Sequence, residues 1–317
     1  MKEGEGEEVE REGGRGLNGR PLSRIHLFFT GVFGRRIQMA KRCCILLAAA
    51  LPTALGFTAA VLLPSLRPLG STALSAAAVS SPCKPSRVFV EADAAGVKEN
   101  VLQRLEEAAA SAIAERGHFA MAIPGGSVLK MLEGTAPSWA SETTLVFVNH
   151  KAVDVEDAAL STQAKANKLF LSGWAGAKVI GLGGSSDAML EAAAYEDLLR
   201  GLSAEKLPRN ADGVPQFDLM LIGVGDDGHV GSLYPGREEV LDASGRWVLP
   251  VQKATLPSIT LSLTVMTAAK QVVVAACGVS EKYPQGKSDA MARAIEGEED
   301  TAATFPAVAT IFQQSSI

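Results

Sequence analysis

From Arg87 onward, short apolar runs alternate with longer segments of helical period. This alternation restricts the fold more than any other feature. The runs are Arg87 to Asp93, His118 to Ser127 with glycines at its end, Thr143 to His150, Phe217 to Val224, Ile259 to Val265 and Gln271 to Gly278. Between them, Gly96 to Arg116 carries Val97, Val101, Leu105, Ala109 and Ile113, one apolar stripe at helical spacing. Ser161 to Leu171, Ala188 to Leu202 and a closing segment, Ser288 to Glu296, read as further helices. Strands separated by helices need crossover connections, and crossovers make neighbouring strands parallel. The expectation is an α/β fold: a single doubly wound, Rossmann-like, mostly parallel sheet with helices on both faces.

In such folds ligands gather beyond the carboxyl ends of the strands. The polar punctuation sits there: Gly125-Gly126-Ser127, Asn149-His150-Lys151, and Asp226-Asp227-Gly228-His229. Gly125-Gly126-Ser127 opens a helical segment, so its backbone N–H groups and the Ser127 hydroxyl suit an anion such as phosphate. A tight turn with a serine cap is the structural alternative. His229 follows a buried-looking strand on a Gly-rich bend, next to two carboxylates able to orient it. An imidazole titrating near neutrality is a natural general base. His150 and Lys287 read either as ligand contacts or as side chains without a chemical role. Tyr195 reads as packed between helix and sheet, with Glu196 beside it structural.

The first 85 residues differ from the rest. No Asp or Glu occurs from Gly13 to Val90, whereas the whole chain carries a formal charge of -5. Cys43 to Leu63 is a 21-residue apolar or weakly polar run preceded by Arg35, Arg36, Lys41 and Arg42, and a small-residue stretch, Gly70 to Pro82, follows. Residues 1–85 are therefore read as a targeting or disordered leader with an apolar segment at 43–63, and residues 86–317 as one catalytic domain. Cleavage of the leader is expected ahead of permanent anchoring, so membrane contact arises only if the leader stays uncleaved. Met39 is an alternative start. Only Cys277 lies in the body, and no Cys/His cluster suggests a metal site. The acidic balance and few aromatics argue against a nucleic-acid partner.

The run Gly223 to Gly236, GVGDDGHVGSLYPG, carries a resemblance. The chain resembles the 6-phosphogluconolactonases, in the superfamily that also holds glucosamine-6-phosphate deaminases/isomerases. Their run Gly-x-Gly-x-Asp-Gly-His-x-Ala-Ser-Leu-Phe-Pro-Gly is matched by Gly223, Gly225, Asp227, Gly228, His229, Ser232, Leu233, Pro235 and Gly236, with Gly231 for Ala and Tyr234 for Phe. Gly125-Gly126-Ser127 and Tyr195-Glu196 match two further motifs. The resemblance implies hydrolysis of 6-phospho-D-glucono-1,5-lactone with no metal or organic cofactor. It implies His229 and Asp227 as the catalytic pair. The expected substrate or phosphate contacts are Gly125, Gly126, Ser127 and Gly228, with His150 at its strand end and with Lys151 and Lys287 facing the phosphate. The partner is then a small sugar-phosphate lactone, the chain a monomer, and the destination a plastid, with mitochondrion or secretory system as alternatives.

Three departures bear on substrate. Asn149-His150-Lys151 stands where the family has Asp-Glu-Arg, Ser161-Thr162 where it has Ser-Asn, and Ser258 where it has Arg. Lysine lacks the bidentate fork of arginine. The rival functions are an isomerase or deaminase using the same histidine, and a non-catalytic sugar-phosphate binder.

Overall fold

The computed structural model describes residues 24–30, 87–253, 255–277, 287–296 and 300–312. Its strands are β1 (Arg24–Thr30), β2 (Arg87–Glu91), β3 (Phe119–Ile123), β4 (Thr143–Phe147), β5 (Asn149–Lys151), β6 (Lys178–Val179), β7 (Leu219–Gly223), β8 (Val248–Val251), β9 (Ser258–Leu261) and β10 (Gln271–Ala276). Its α-helices are α1 (Ala94–Arg116), α2 (Thr162–Leu169), α3 (Ala188–Arg200), α4 (Leu263–Ala268), α5 (Ser288–Glu296) and α6 (Pro306–Phe312). Seven strands form one sheet in the order β2-β1-β10-β7-β3-β4-β6, and every pairing in it is parallel. Helices flank this sheet, as the strand–helix alternation requires.

The core follows from the local sequence. β3 and β4 are buried at every position, as parallel strands covered on both faces must be. α1 starts where the Asp93 carboxylate accepts from the Ala95 and Gly96 N–H groups, at 2.9 and 3.0 Å. It ends at Gly117, whose φ of 73° is the left-handed conformation of a helix stop. Between these caps Val97, Val101, Leu105, Ala108, Ala109 and Ala112 are buried, one stripe three to four residues apart. Tyr195 of α3 is buried; its hydroxyl accepts from the Phe147 N–H at 2.8 Å and donates to the Ile180 carbonyl at 3.4 Å.

Four features differ from the expected fold. First, a separate antiparallel sheet, β5-β9-β8, stands beside the parallel one. The expected strand Thr143 to His150 is in fact two strands in two sheets. Val148 makes the junction: its N–H donates to the Ile123 carbonyl at 2.7 Å, and its carbonyl accepts from the Leu261 N–H at 2.7 Å. Second, the expected strand Ile259 to Val265 ends at Leu261, because the Ser262 hydroxyl caps α4 by accepting from the Val265 N–H. A seven-residue apolar run fits both patterns, and the serine decides. Third, Ser288–Glu296 does not close the chain, since α6 follows it. Fourth, β1 comes from the segment read as leader. It pairs with β10 and β2 through an apolar run that no adjoining helical pattern marks in the sequence. The apolar segment 43–63 lies outside the described residues. Among the described residues no helix is long and apolar enough to cross a membrane.

Candidate active site

The strand order creates the site. β3 and β7 are neighbours, but the chain leaves β3 toward β4 on one side and β7 toward β10 on the other. The loops beyond their carboxyl ends therefore diverge and open a crevice between them. That crevice is a cleft of about 430 Å³. Its walls include Gly125, Gly126 and Ser127 after β3, Asp226 and His229 after β7, and Asn149 and Lys151 of β5.

The loop after β7 is built around its histidine. The Gly225 N–H donates to the His229 carbonyl at 2.9 Å, and the Gly228 N–H to the Gly225 carbonyl at 3.0 Å, which closes a tight bend. A Cβ on Gly225 would lie 2.1 Å from the imidazole Cε1 and Nδ1, so only glycine admits the ring there. Gly228 has φ of +84°, and a side chain on it would strike the buried Phe305 ring. The Ala307 N–H, in α6, donates to the Gly228 carbonyl at 2.9 Å. The segment leading into α6 thus braces the bend from behind.

Asp227 orients the imidazole. Its Oδ1 accepts from His229 Nδ1 at 2.6 Å and from the His229 backbone N–H at 3.1 Å. Burial alone would push the Asp227 carboxyl up; these hydrogen bonds outweigh it and hold the group below its ordinary value. The carboxylate therefore takes the Nδ1–H tautomer and leaves Nε2 as an acceptor. The Tyr234 ring lies against the imidazole, with centroids 4.6 Å apart and planes tilted by 35°.

Asn149 joins the two loops. Its Oδ1 accepts from the Gly125 N–H at 3.1 Å, and its Nδ2 donates to Ser232 Oγ at 3.4 Å. Opposite it, α2 begins at Ser161, whose hydroxyl accepts from the Ala164 N–H at 3.0 Å, and brings Thr162 and Lys165 to the wall. Lys151, Lys165 and Lys287 all line the cleft, against the single carboxylate of Asp226. Among the described residues none of these three ammonium groups has a carboxylate within 4.0 Å. In a chain of net charge -5 this is a local reversal of sign, suited to an anionic ligand.

A model of the family "Glucosamine-6-phosphate isomerases/6-phosphogluconolactonase" matches residues 92–316. The chain belongs to this family. It is 34% identical over 125 residues to "Probable 6-phosphogluconolactonase 2" of Arabidopsis thaliana, a match covering 38% of this chain and 46% of that protein. It is 28% identical over 200 residues to "6-phosphogluconolactonase 3, chloroplastic" of the same plant, covering 57% of this chain and 58% of the other. The chain thus spans about half the length of these two relatives. A crystal structure of a 6-phosphogluconolactonase from Shewanella baltica superposes with a TM-score of 0.56 at 21% identity, over 68% of this chain and 89% of that one. It shares the fold.

Of the residues expected at the family site, Gly125, Gly126, Ser127, Lys151, His229 and Lys287 line the cleft. Asp227 and Gly228 act behind it, on the ring and on the bend. His150 is not brought to the cleft. It is buried, with Nε2 3.3 Å from Ser161 Oγ, and burial first of all lowers its pKa. The cause is strand alternation: Asn149 and Lys151 face the cleft, so the residue between them points the other way. The sequence reading put Asn149 and Asp226 at the strand-end rim without assigning them a contact, and it did not place Thr162, Lys165 or Tyr234 at the site. For Thr162 and Lys165 the sequence held a signal, since a helix starting at a strand-end loop turns its first residues toward the crevice.

Two of the departures from the family pattern are coupled in space. Lys151 and Ser258 are directly opposed on the β5–β9 ladder. The two positions where the resemblance implies arginines therefore form a cross-strand pair. Among the described residues the buried Ser258 Oγ has no hydrogen-bond partner.

Proposed function

We propose that this protein hydrolyses 6-phospho-D-glucono-1,5-lactone to 6-phosphogluconate, the second step of the oxidative pentose phosphate pathway. The observation that carries the reading is the Asp227–His229 pair at a cleft walled by Lys151, Lys165 and Lys287. The lysines and the glycine loop hold the phosphate and fix the sugar. Nε2 of His229 accepts a proton from a water molecule as its oxygen bonds to the lactone carbonyl carbon. The bond from that carbon to the ring oxygen then breaks. The imidazolium returns its proton to the departing ring oxygen, and the product is the open-chain acid. Asp227 stabilises the imidazolium between these two steps, and no further reactant is needed.

His229→Ala is expected to lower kcat by roughly 10²–10⁴-fold while 6-phosphogluconate binding persists. The assay follows lactone loss with the spontaneous rate subtracted. Wild-type turnover in the variant would overturn the reading. Ammonia release from glucosamine 6-phosphate by the wild-type protein would assign the site to the isomerase branch instead. Binding of 6-phosphogluconate without turnover by the wild-type protein would make it a binder.

The same proposal includes a monomeric enzyme imported into a plastid, its leader removed between about residues 71 and 87. The stretch Gly13 to Val90, free of Asp and Glu, and the chloroplastic relative support this destination.

A further inference from the structure

We propose that Tyr234 and Lys253 form a positioning stack on His229 that fixes the plane of the imidazole. The inference rests on His229 being the base. Asp227 holds the ring at one atom, Nδ1. One hydrogen bond leaves the ring free to tilt about that contact. The half-buried Tyr234 ring supplies the second constraint, a face 4.6 Å from the imidazole centroid.

Lys253 in turn holds Tyr234. Two residues beyond β8, it places its ammonium 3.4 Å from the centre of the phenol ring. Among the described residues Lys253 has no carboxylate within 4.0 Å, so its charge is not cancelled locally. Arg237 also lies near Tyr234, but Glu239 pairs with it at 2.9 and 2.5 Å.

The two contacts act in series. Lys253 fixes the phenol ring, and the phenol ring fixes the plane of the imidazole, which holds Nε2 in one orientation at the cleft that His229 and Tyr234 both line. The accessory sheet β5-β9-β8, which the parallel fold alone does not require, thus helps to set the orientation of the base.

Steady-state kinetics on the whole protein, with the spontaneous rate subtracted, test this. Tyr234→Leu should lower kcat about tenfold with KM changed less than about twofold, and Tyr234→Phe should recover most of the loss. Lys253→Gln should lower kcat about threefold with KM little changed, and Lys253→Arg should restore it. Wild-type kcat in Tyr234→Leu would overturn the proposal, as would a change in KM as large as the change in kcat. Full lactone turnover in His229→Ala would instead overturn the assignment of the base. The NMR ring-current shift of the His229 imidazole protons, lost in Tyr234→Leu and kept in Tyr234→Phe, would still decide whether the stack exists.

Discussion

His118 shows how one buried side chain ties stability to pH. It lies far along β3 from the cleft, at the amino end. Its Nε2 donates to Thr144 Oγ1 at 2.8 Å, and Lys206 Nζ donates to its Nδ1 at 3.2 Å. The second contact requires a neutral ring, because a protonated Nδ1 cannot accept. Burial first, then the charges of Lys206 and Arg116, lowers its pKa from 6.5 to about 4. Below pH 6.5 the unfolded chain takes up a proton that the folded chain refuses until about pH 4. Stability contributed by the neutral ring is therefore intact above 6.5 and falls as pH drops toward 4, by on the order of 3 kcal/mol. Urea midpoints measured from pH 7 to pH 4 should fall less steeply in His118→Gln than in the wild type. Equal slopes would show that His118 protonates freely in the fold. At the cleft, Gly225→Ala should depress kcat at least about a hundredfold with little loss of melting temperature. Its Cβ displaces the imidazole rather than the core.

At the scale of elements, α3 fastens the accessory sheet to the molecule. Glu196 is buried, and its Oε2 accepts from the Trp247 and Val248 N–H groups, both at 3.0 Å. Its Oε1 accepts from Arg200 at 2.6 and 2.8 Å, and the Arg200 guanidinium lies 4.0 Å from the centre of the Trp247 ring. One carboxylate thus satisfies the entry to β8, which leads to Lys253. Glu196→Ala leaves two buried N–H groups and an arginine unpaired. It should cost roughly 2–4 kcal/mol by chemical denaturation. A loss below about 0.5 kcal/mol would show that the β8 contacts re-form with water.

For the whole molecule, the N-terminal strand and the proposed import meet in one place. β1 separates β2 from β10 in the parallel sheet. Cleavage between about residues 71 and 87 would release it. β2 and β10 would then each have an open edge, and the simplest repair is for them to pair with each other. Mass spectrometry of the native protein is expected to find a mature N-terminus in that window and no peptide covering 24–30. Recovery of residues 24–30 in the mature enzyme would show that β1 is a permanent strand and that the leader is not removed there.

The sequence by itself determined the parallel α/β class, because strand–helix alternation admits few other packings. It also determined the chemistry of the bend after β7: glycine at 225 and 228, a carboxylate at 227 and an imidazole at 229 act through contacts a few residues apart. Local spacing was enough for those. It was not enough for the break at Val148, which depends on partners in two sheets, nor for the burial of His150, which depends on which way β5 faces. Lys165, Tyr234 and Lys253 reach the cleft, His229 and the Tyr234 ring from α2, the loop after β7 and the segment beyond β8. Only the tertiary structure decided their convergence, because the positions of side chains from separate elements follow from strand order and sheet packing rather than from any pattern along the chain.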